Sequence, residues 1–407
     1  MPRPAKPTVI SLFSGAGGLD YGFEAAGYDV RVALELDANC AASLRRSRPK
    51  RPVINDDLLS VSTERLLETA RLRVKEADVL IGGPPCQPFS KAGYWARGDS
   101  ARLADPRANT LAAYMRVVEE ALPAAFLLEN VEGLAYQGKD EGLQLLKDRV
   151  DAINKRTRSR YSLNIAKLDA ASFGVPQHRE RVIIVASRDG TELKFPDPTH
   201  GDDARLEPYR TAWDAIGHLN EDDDSAELAV RGKWARLLPT IPEGSNYLFH
   251  TDRGEGLPLF GWRRRYWTFL LKLAKNRPSW TLQAQPGPSV GPFHWKNRRL
   301  STRELCRLQT FPDDVEIVGS RTSVQRQLGN AVPSALGEVL ARAIGTQLLD
   351  RRSRASEIKL IPSVLRPVPR PHPVIDVPQE FRKLIGAHEA HPGTGLGYGA
   401  LERMSVS

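Results

Sequence analysis

Thr8-Val9-Ile10-Ser11-Leu12-Phe13-Ser14-Gly15-Ala16-Gly17-Gly18 is the stretch from which the fold is read. A short, nearly continuous apolar run of this kind reads as a strand buried on both faces. The glycines after it let the backbone turn tightly and come close to a ligand. A helix follows over Leu19 to Ala26, with Leu19, Phe23 and Ala26 on one face and Gly27 as its stop. The N-terminus of such a helix favours a negative group. A dinucleotide site would need a further glycine where Asp20 stands, so the G-x-G-x-x-G pattern is not met. The turn suits a nucleoside ligand bearing a carboxylate better than one bearing a pyrophosphate.

The same rhythm continues outward. Val30 to Leu36, Asp78 to Ile81, Ala125 to Leu128 and Arg181 to Ala186 read as further buried parallel strands separated by helices. That alternation predicts an α/β fold with a doubly wound, mostly parallel sheet. Ligands of such sheets bind beyond the carboxyl ends of the strands. From 190 to 300 the rhythm is lost in a stretch rich in proline, glycine and tryptophan, with an acidic cluster at Glu221 to Asp224. We read a smaller, irregular second domain there, after a first unit over 1–189. Over 301–350 the α/β character returns: Ser301 and Glu304 have capping-box spacing, Pro312 closes that helix, and a last helix spans Ser334 to Leu349. The basic, proline-rich segment 351–407 is expected to be poorly ordered.

Composition sets limits on function. The 407 residues are 41% hydrophobic and 26% charged, an ordinary globular balance. No apolar run approaches the ~18 residues a membrane span requires, and the N-terminus lacks signal-peptide architecture. Only three cysteines argue against a disulfide framework and for a reducing cytoplasm. A net charge of +9 suggests a polyanionic partner. No residues are assigned to a metal.

The chemistry concentrates at strand ends. Glu35, ending the second strand, is placed to hold ribose hydroxyls; Asp57, after the next apolar segment, to meet an adenine amine. Gly82-Gly83-Pro84-Pro85-Cys86-Gln87-Pro88-Phe89-Ser90 follows the fourth strand. Its glycines and prolines fix the backbone so that Cys86 projects into the site as a nucleophile, whereas Cys40 and Cys306 read as core filler. The residues on through Gly93, Gly98 and Asp99 suit a closing loop. Glu129-Asn130-Val131 offers a carboxyl group that burial would hold protonated as a general acid. In Gln177-His178-Arg179-Glu180-Arg181 the two arginines share a strand face and are placed to fix a carbonyl oxygen and the nearby acid.

These segments, with Arg303 to Pro312 and Gln327 to Pro333, occur in the order found in the DNA (cytosine-5)-methyltransferases, which the chain resembles from Thr8 to about Leu349. The resemblance implies a Rossmann-like fold and S-adenosyl-L-methionine as methyl donor. It implies duplex DNA as substrate, with a cytosine flipped out of the stack. Cys86 would attack C6 and Glu129 would stabilise protonation at N3, while Arg179 and Arg181 orient the base and its O2. Phe13, Ser14, Gly15, Ala16, Gly17, Gly18, Glu35, Leu36, Asp57, Leu58, Pro84 and Asn330 would line the cofactor pocket. Leu36 stands where many relatives place an aromatic residue. Asp56 replaces a usual glycine, so Asp56 and Asp57 both stand as candidates for the adenine contact. The 190–300 stretch would be the target-recognition domain, with Gln87, Ser90, Arg264 and Arg298 on DNA. Bacterial members of the family act alone or beside a partner restriction endonuclease, and family precedent favours a monomer.

Three other readings compete. A tRNA methyltransferase of the same fold is disfavoured by the long recognition segment. A silent DNA-binding regulator is disfavoured by the presence of Cys86, Glu129 and the glycine turn. A nicotinamide oxidoreductase lacks its fingerprint.

Overall fold

The computed structural model describes residues 6–85, 108–130, 141–219, 226–262, 266–350 and 357–386. Seven strands form one sheet: β1 (Thr8–Leu12), β2 (Asp29–Leu34), β3 (Val53–Ile54), β4 (Val79–Gly82), β5 (Ala125–Asn130), β6 (Asn164–Asp169) and β7 (Glu180–Ser187). Their spatial order is β3-β2-β1-β4-β5-β7-β6. The order reverses between β1 and β4, so the crevice of this sheet opens beyond Leu12 and its register partner Gly82.

The central strands split their side chains between two cores. Ile10, Leu12, Val32, Leu80, Phe126 and Ile184 face α3 (Thr63–Ala70), α4 (Ala108–Ala121) and α5 (Glu141–Thr157). Val9, Val30, Val79, Leu127 and Ile183 face α1 (Gly18–Ala25) and α9 (Ser334–Leu348). Both faces are thus dry, which is why the strands read as unbroken apolar runs. Helix α2 (Ala38–Ser47) starts where Asp37 accepts the amides of Asn39 and Cys40. Helix α7 (Thr302–Leu308) starts at the reciprocal Ser301–Glu304 capping box, as its spacing predicts, but already ends at Gln309, before Pro312.

One strand corrects the sequence reading. β7 runs antiparallel to both β5 and β6. Its residues 181–186 show the same apolar run as a parallel strand because they too are buried on both faces, so composition carries no sign of direction.

Residues 190–300 contain α6 (Ala212–Ile216), two short 3-10 helices and isolated bridges such as Phe269 to Val290. Leu237, Leu238, Ile241, Leu259, Leu270 and Phe293 form a small core. The acidic cluster at Glu221 to Asp224 lies outside the described residues.

The tail is a second correction. Residues 357–386 form a strap, whereas 351–356 and 387–407 lie outside the described residues. The Lys359 and Leu360 amides donate to Glu338 of α9, and the Leu365 amide to Asp214 of α6. The His372 amide donates to Glu243, and Phe381 stacks on Trp234 at 5.7 Å. Backbone amides meeting buried carboxylates, plus a few apolar anchors, order a segment whose proline content alone suggests disorder. Helix α8 (Arg321–Asn330) and α10 (Gln379–Arg382) complete the described α-helices.

Candidate active site

The turn after β1 is held in a strained form. Phe13, Gly15 and Gly17 have φ of 51°, 55° and 91°, a region that costs a residue with a side chain about 1–2 kcal/mol. Glu35 fastens it: one carboxylate oxygen accepts the Gly15 amide at 2.7 Å and the other the Asp37 amide at 2.8 Å. Burial pushes the Glu35 carboxyl up, and these amides oppose that shift. Ser14 hydrogen-bonds Ser11, whose hydroxyl also meets the buried Asp20 carboxylate at 2.6 Å. Asp20 in turn pairs with Arg51 at 3.0 Å. Sequence reading used Asp20 only to exclude a dinucleotide site; its place in the turn where a glycine was missing was the available signal for an anchor. Ala16 and Gly18 are buried beneath the turn.

The loops after β2 and β3 each expose an apolar side chain. Leu36 is 62% exposed and Leu59 50%. Asn55 ties the loops together by donating to the carbonyls of Glu35 and Leu36. Leu58, expected at the cofactor, instead places its side chain in the core, because the turn at Asp57 points it inward and Leu59 outward. Asp56 pairs with Arg65 at 3.1 Å, whereas Asp57 accepts the Leu59 amide. Pro84 is buried and Asn330, at the end of α8, is exposed.

Glu129 sits at the next strand end, and its carboxylate pairs with Arg181 at 2.6 Å. Arg181 thus stands against the acid, where the sequence placed one of the two arginines. The other Glu129 oxygen lies against Gly83, where a Cβ would come within 2.8 Å of Oε2. The backbone that leads into Cys86 is thus packed on Glu129. Cys86, Gln87, Ser90, the loop through Asp99 and Val131 lie outside the described residues.

Arg179 is itself part of the scaffold of this corner. Its guanidinium is fully buried and donates to the carbonyls of Gly329 at 2.7 Å and Leu282 at 3.3 Å. Burial pulls its pKa down, as does the charge of Arg181. It clasps α8 to the segment after 280, leaving Arg181 as the arginine that faces the acid. Asp169, which sequence reading missed, fixes this corner by accepting the Arg179 amide at 2.7 Å and bonding His178 at 2.8 Å. Gln177 adds bonds to the Leu282 amide and the Leu308 carbonyl. Cys40 and Cys306 are buried, and burial raises both thiols, Cys306 to about 12.

Arg298 is a correction. It was expected on DNA, but it is 4% exposed and donates both Nη atoms to Glu304 at 2.8 Å. The same capping carboxylate that starts α7 captures it, which no local pattern announces. Arg264 lies outside the described residues.

A mostly parallel sheet with its ligand turn at β1, a fixed backbone beyond β4 and a carboxylate–arginine pair across β5 and β7 defines a Rossmann-like transferase site. The sequence matches the C-5 cytosine-specific DNA methylase family over residues 7–346. The chain belongs to that family, and it is a cytosine-C5 DNA methyltransferase of the restriction–modification type. It is 41% identical to the type II methyltransferase M.SacI of Streptomyces achromogenes, over 86% of this chain and 95% of that protein. It is 35% identical to M.NgoFVII of Neisseria gonorrhoeae, over 83% and 86% respectively. A crystal structure of a putative DNA modification methyltransferase from an E. coli prophage superimposes with a TM-score of 0.62 at 21% identity, covering 85% of this chain and all of that one. No helix among the described residues is long and apolar enough to cross a membrane.

Proposed function

We propose that the chain methylates a cytosine flipped out of a specific duplex sequence, through a covalent bond from Cys86. The observation that carries the reading is the Glu129–Arg181 pair with the Gly83 backbone set against it, at the mouth of the strand that leads to the cysteine. S-adenosyl-L-methionine fits the neighbouring crevice: Gly15 leaves open space for close backbone approach, whereas Gly17 and Gly18 let the turn pack on Leu44 and Val332; Glu35 is fixed for ribose hydroxyls, and Leu36 and Leu59 offer exposed apolar faces to an adenine. Asp57 is the better adenine contact, because Asp56 is engaged by Arg65. Phe13, Pro84 and Asn330 complete the pocket. When bound, this cofactor supplies an electrophilic methyl group.

The chain's residues make C5 of the ring a nucleophile. The Cys86 thiolate adds to C6 while Glu129 meets N3 as that nitrogen gains a proton. Arg181 holds the Glu129 carboxylate and faces the base carbonyl, and Arg179 positions the backbone around it. After methylation, loss of the C5 proton returns its electron pair to the ring and expels the thiolate. We further assign residues 190–300 to target recognition, with Arg264, Gln87 and Ser90 on DNA. A monomer acting beside an endonuclease of the same target fits this reading.

Trapping tests it. Duplex DNA of mixed sequence carrying 5-fluorocytosine is incubated with protein and S-adenosyl-L-methionine. Fluorine at C5 blocks the final elimination, so the enzyme is expected to remain joined to DNA after denaturation, and Cys86→Ala is not. Absence of an adduct with bound cofactor would overturn the covalent route.

A further inference from the structure

Two tryptophans stand out of the protein beside the catalytic corner. Trp280 and Trp267 are 38% and 45% exposed, with ring centroids 5.3 Å apart and planes at 81°. Trp295, by contrast, is buried and packs on Trp213 at 5.8 Å. Neither exposed ring is on a loose loop. Ser279 and Thr281, on either side of Trp280, are stitched to the strand entrance. Ser279 donates its amide to Pro176 and accepts that of His178, both at 2.8 Å, and the Thr281 hydroxyl donates to the His178 carbonyl at 2.7 Å. The Leu282 carbonyl takes Arg179. The Trp267 carbonyl is held by the buried Asn246 at 2.7 Å. His178, itself fixed by Asp169, lies 6.1 Å from the Trp280 ring, and Tyr209 lies 5.4 Å from His178.

A rigid, exposed aromatic cluster of this size forgoes the burial that the core offers Trp295, which marks a contact surface. Its position selects the partner. Trp280 packs beside His178, three residues before Arg181 at the opening of β7, and in sequence Trp267 follows directly on Arg263-Arg264-Arg265-Tyr266. Cations beside flat apolar rings match a polyanion with stackable faces.

We propose that Trp280, braced edge-on by Trp267, packs against the bases and sugars of duplex DNA flanking the flipped cytosine. The inference rests on the DNA reading above and deepens it. Ring faces accept any base, so the contact adds affinity and registers the duplex without reading its sequence. Two consequences follow. The DNA Michaelis constant depends on Trp280 while turnover of bound DNA does not, and Trp280→Phe retains most of the effect.

The experiment uses the full chain, fragmented genomic DNA and isotopically labelled S-adenosyl-L-methionine. Trp280→Ala is expected to raise the DNA KM about 5- to 20-fold, at the lower end of what loss of a base–aromatic contact produces. The expected kcat stays within about twofold and cofactor binding is unchanged. An unaltered DNA KM in a cofactor-binding Trp280→Ala protein overturns the inference and leaves the DNA reading intact. Failure of the wild-type chain to methylate any DNA overturns the DNA reading itself. Acrylamide quenching of wild-type tryptophan fluorescence tests the same contact without a variant: DNA is expected to shield the exposed indoles, and undiminished quenching in saturating DNA also overturns the inference.

Discussion

Arg298→Ala separates a structural cation from a DNA-reading one. Its guanidinium makes two 2.8 Å bonds to Glu304, the two side chains being 5% and 1% exposed. Glu304 also accepts the Ser301 amide at 2.8 Å, so it cannot turn away without opening the first turn of α7. Removing the arginine leaves a carboxylate in the interior with its main counter-charge gone. Breaking a buried pair from one side costs about 3–5 kcal/mol. Unfolding entropy of about 2.1 cal/mol/K per residue gives roughly 0.85 kcal/mol/K for 407 residues, so the melting temperature is expected to fall by about 4–6 °C. Arg298→Lys keeps the charge but loses the fork, and is expected to fall between. Differential scanning fluorimetry reads the melt; a salt titration of DNA binding reads phosphate contacts. The slope of log K against log salt is expected to be unchanged. An unchanged melt with a slope reduced by about 0.9, the value of one phosphate contact, would refute the buried-pair reasoning.

Other perturbations test neighbouring claims. Gly83→Ala puts a methyl group within 2.8 Å of Glu129 Oε2, so the carboxylate must shift; kcat is expected to fall 10- to 100-fold, roughly the effect of a misplacement near 1 Å, with cofactor affinity retained. His294 is held neutral down to about pH 2, first by burial and then by the charges of Arg298, Lys296 and Lys275. Its unfolded pKa is near 6.5, so the depressed folded value contributes stability that is intact above pH 6.5 and lost as pH falls below it, at up to about 1.4 kcal/mol per pH unit. Urea midpoints measured from pH 7 to 4 should fall less steeply in His294→Gln; parallel curves would count against this assignment. Phe381→Ala removes the anchor stacked on Trp234 and is expected to cost about 3 kcal/mol and to admit protease into the 357–386 strap. Equal protection of that segment would show that the strap does not depend on it.

Much of the site was legible because it sits where sequence is local. The β1 turn, its glycines and the acid ending β2 lie within single strand–turn–helix units, where apolar period and glycine placement specify the backbone. The capping box of α7 was legible for the same reason. What escaped either follows no regular period or depends on partners distant in sequence. Arg298 and Glu304 are six residues apart on either side of the Ser301 cap, a spacing that no helix or strand period announces, and Leu58 and Leu59 exchange roles through one turn at Asp57. The strap reads as disorder because its partners, Glu338, Asp214 and Glu243, are carboxylates dispersed over the chain.

The direction of β7 shows why such pairings decide function. In a wholly parallel sheet, residues preceding a strand lie at its amino end, opposite the crevice. Gln177 to Arg181 precede or open β7, and would then stand across the sheet from Glu129. Because β7 is reversed, Asn130 pairs with Val182 and the start of β7 arrives at the carboxyl end of β5. Only there does Arg181 come within 2.6 Å of Glu129 and Arg179 reach Gly329 of α8. β6, which the apolar pattern did not announce because its side chains alternate with solvent, makes this reversal possible: it carries the chain to the sheet edge and ends at Asp169. That residue binds the Arg179 amide and so sets where β7 begins. The placement of Glu129 against Arg181 therefore depends on an inconspicuous edge strand more than on either conspicuous motif.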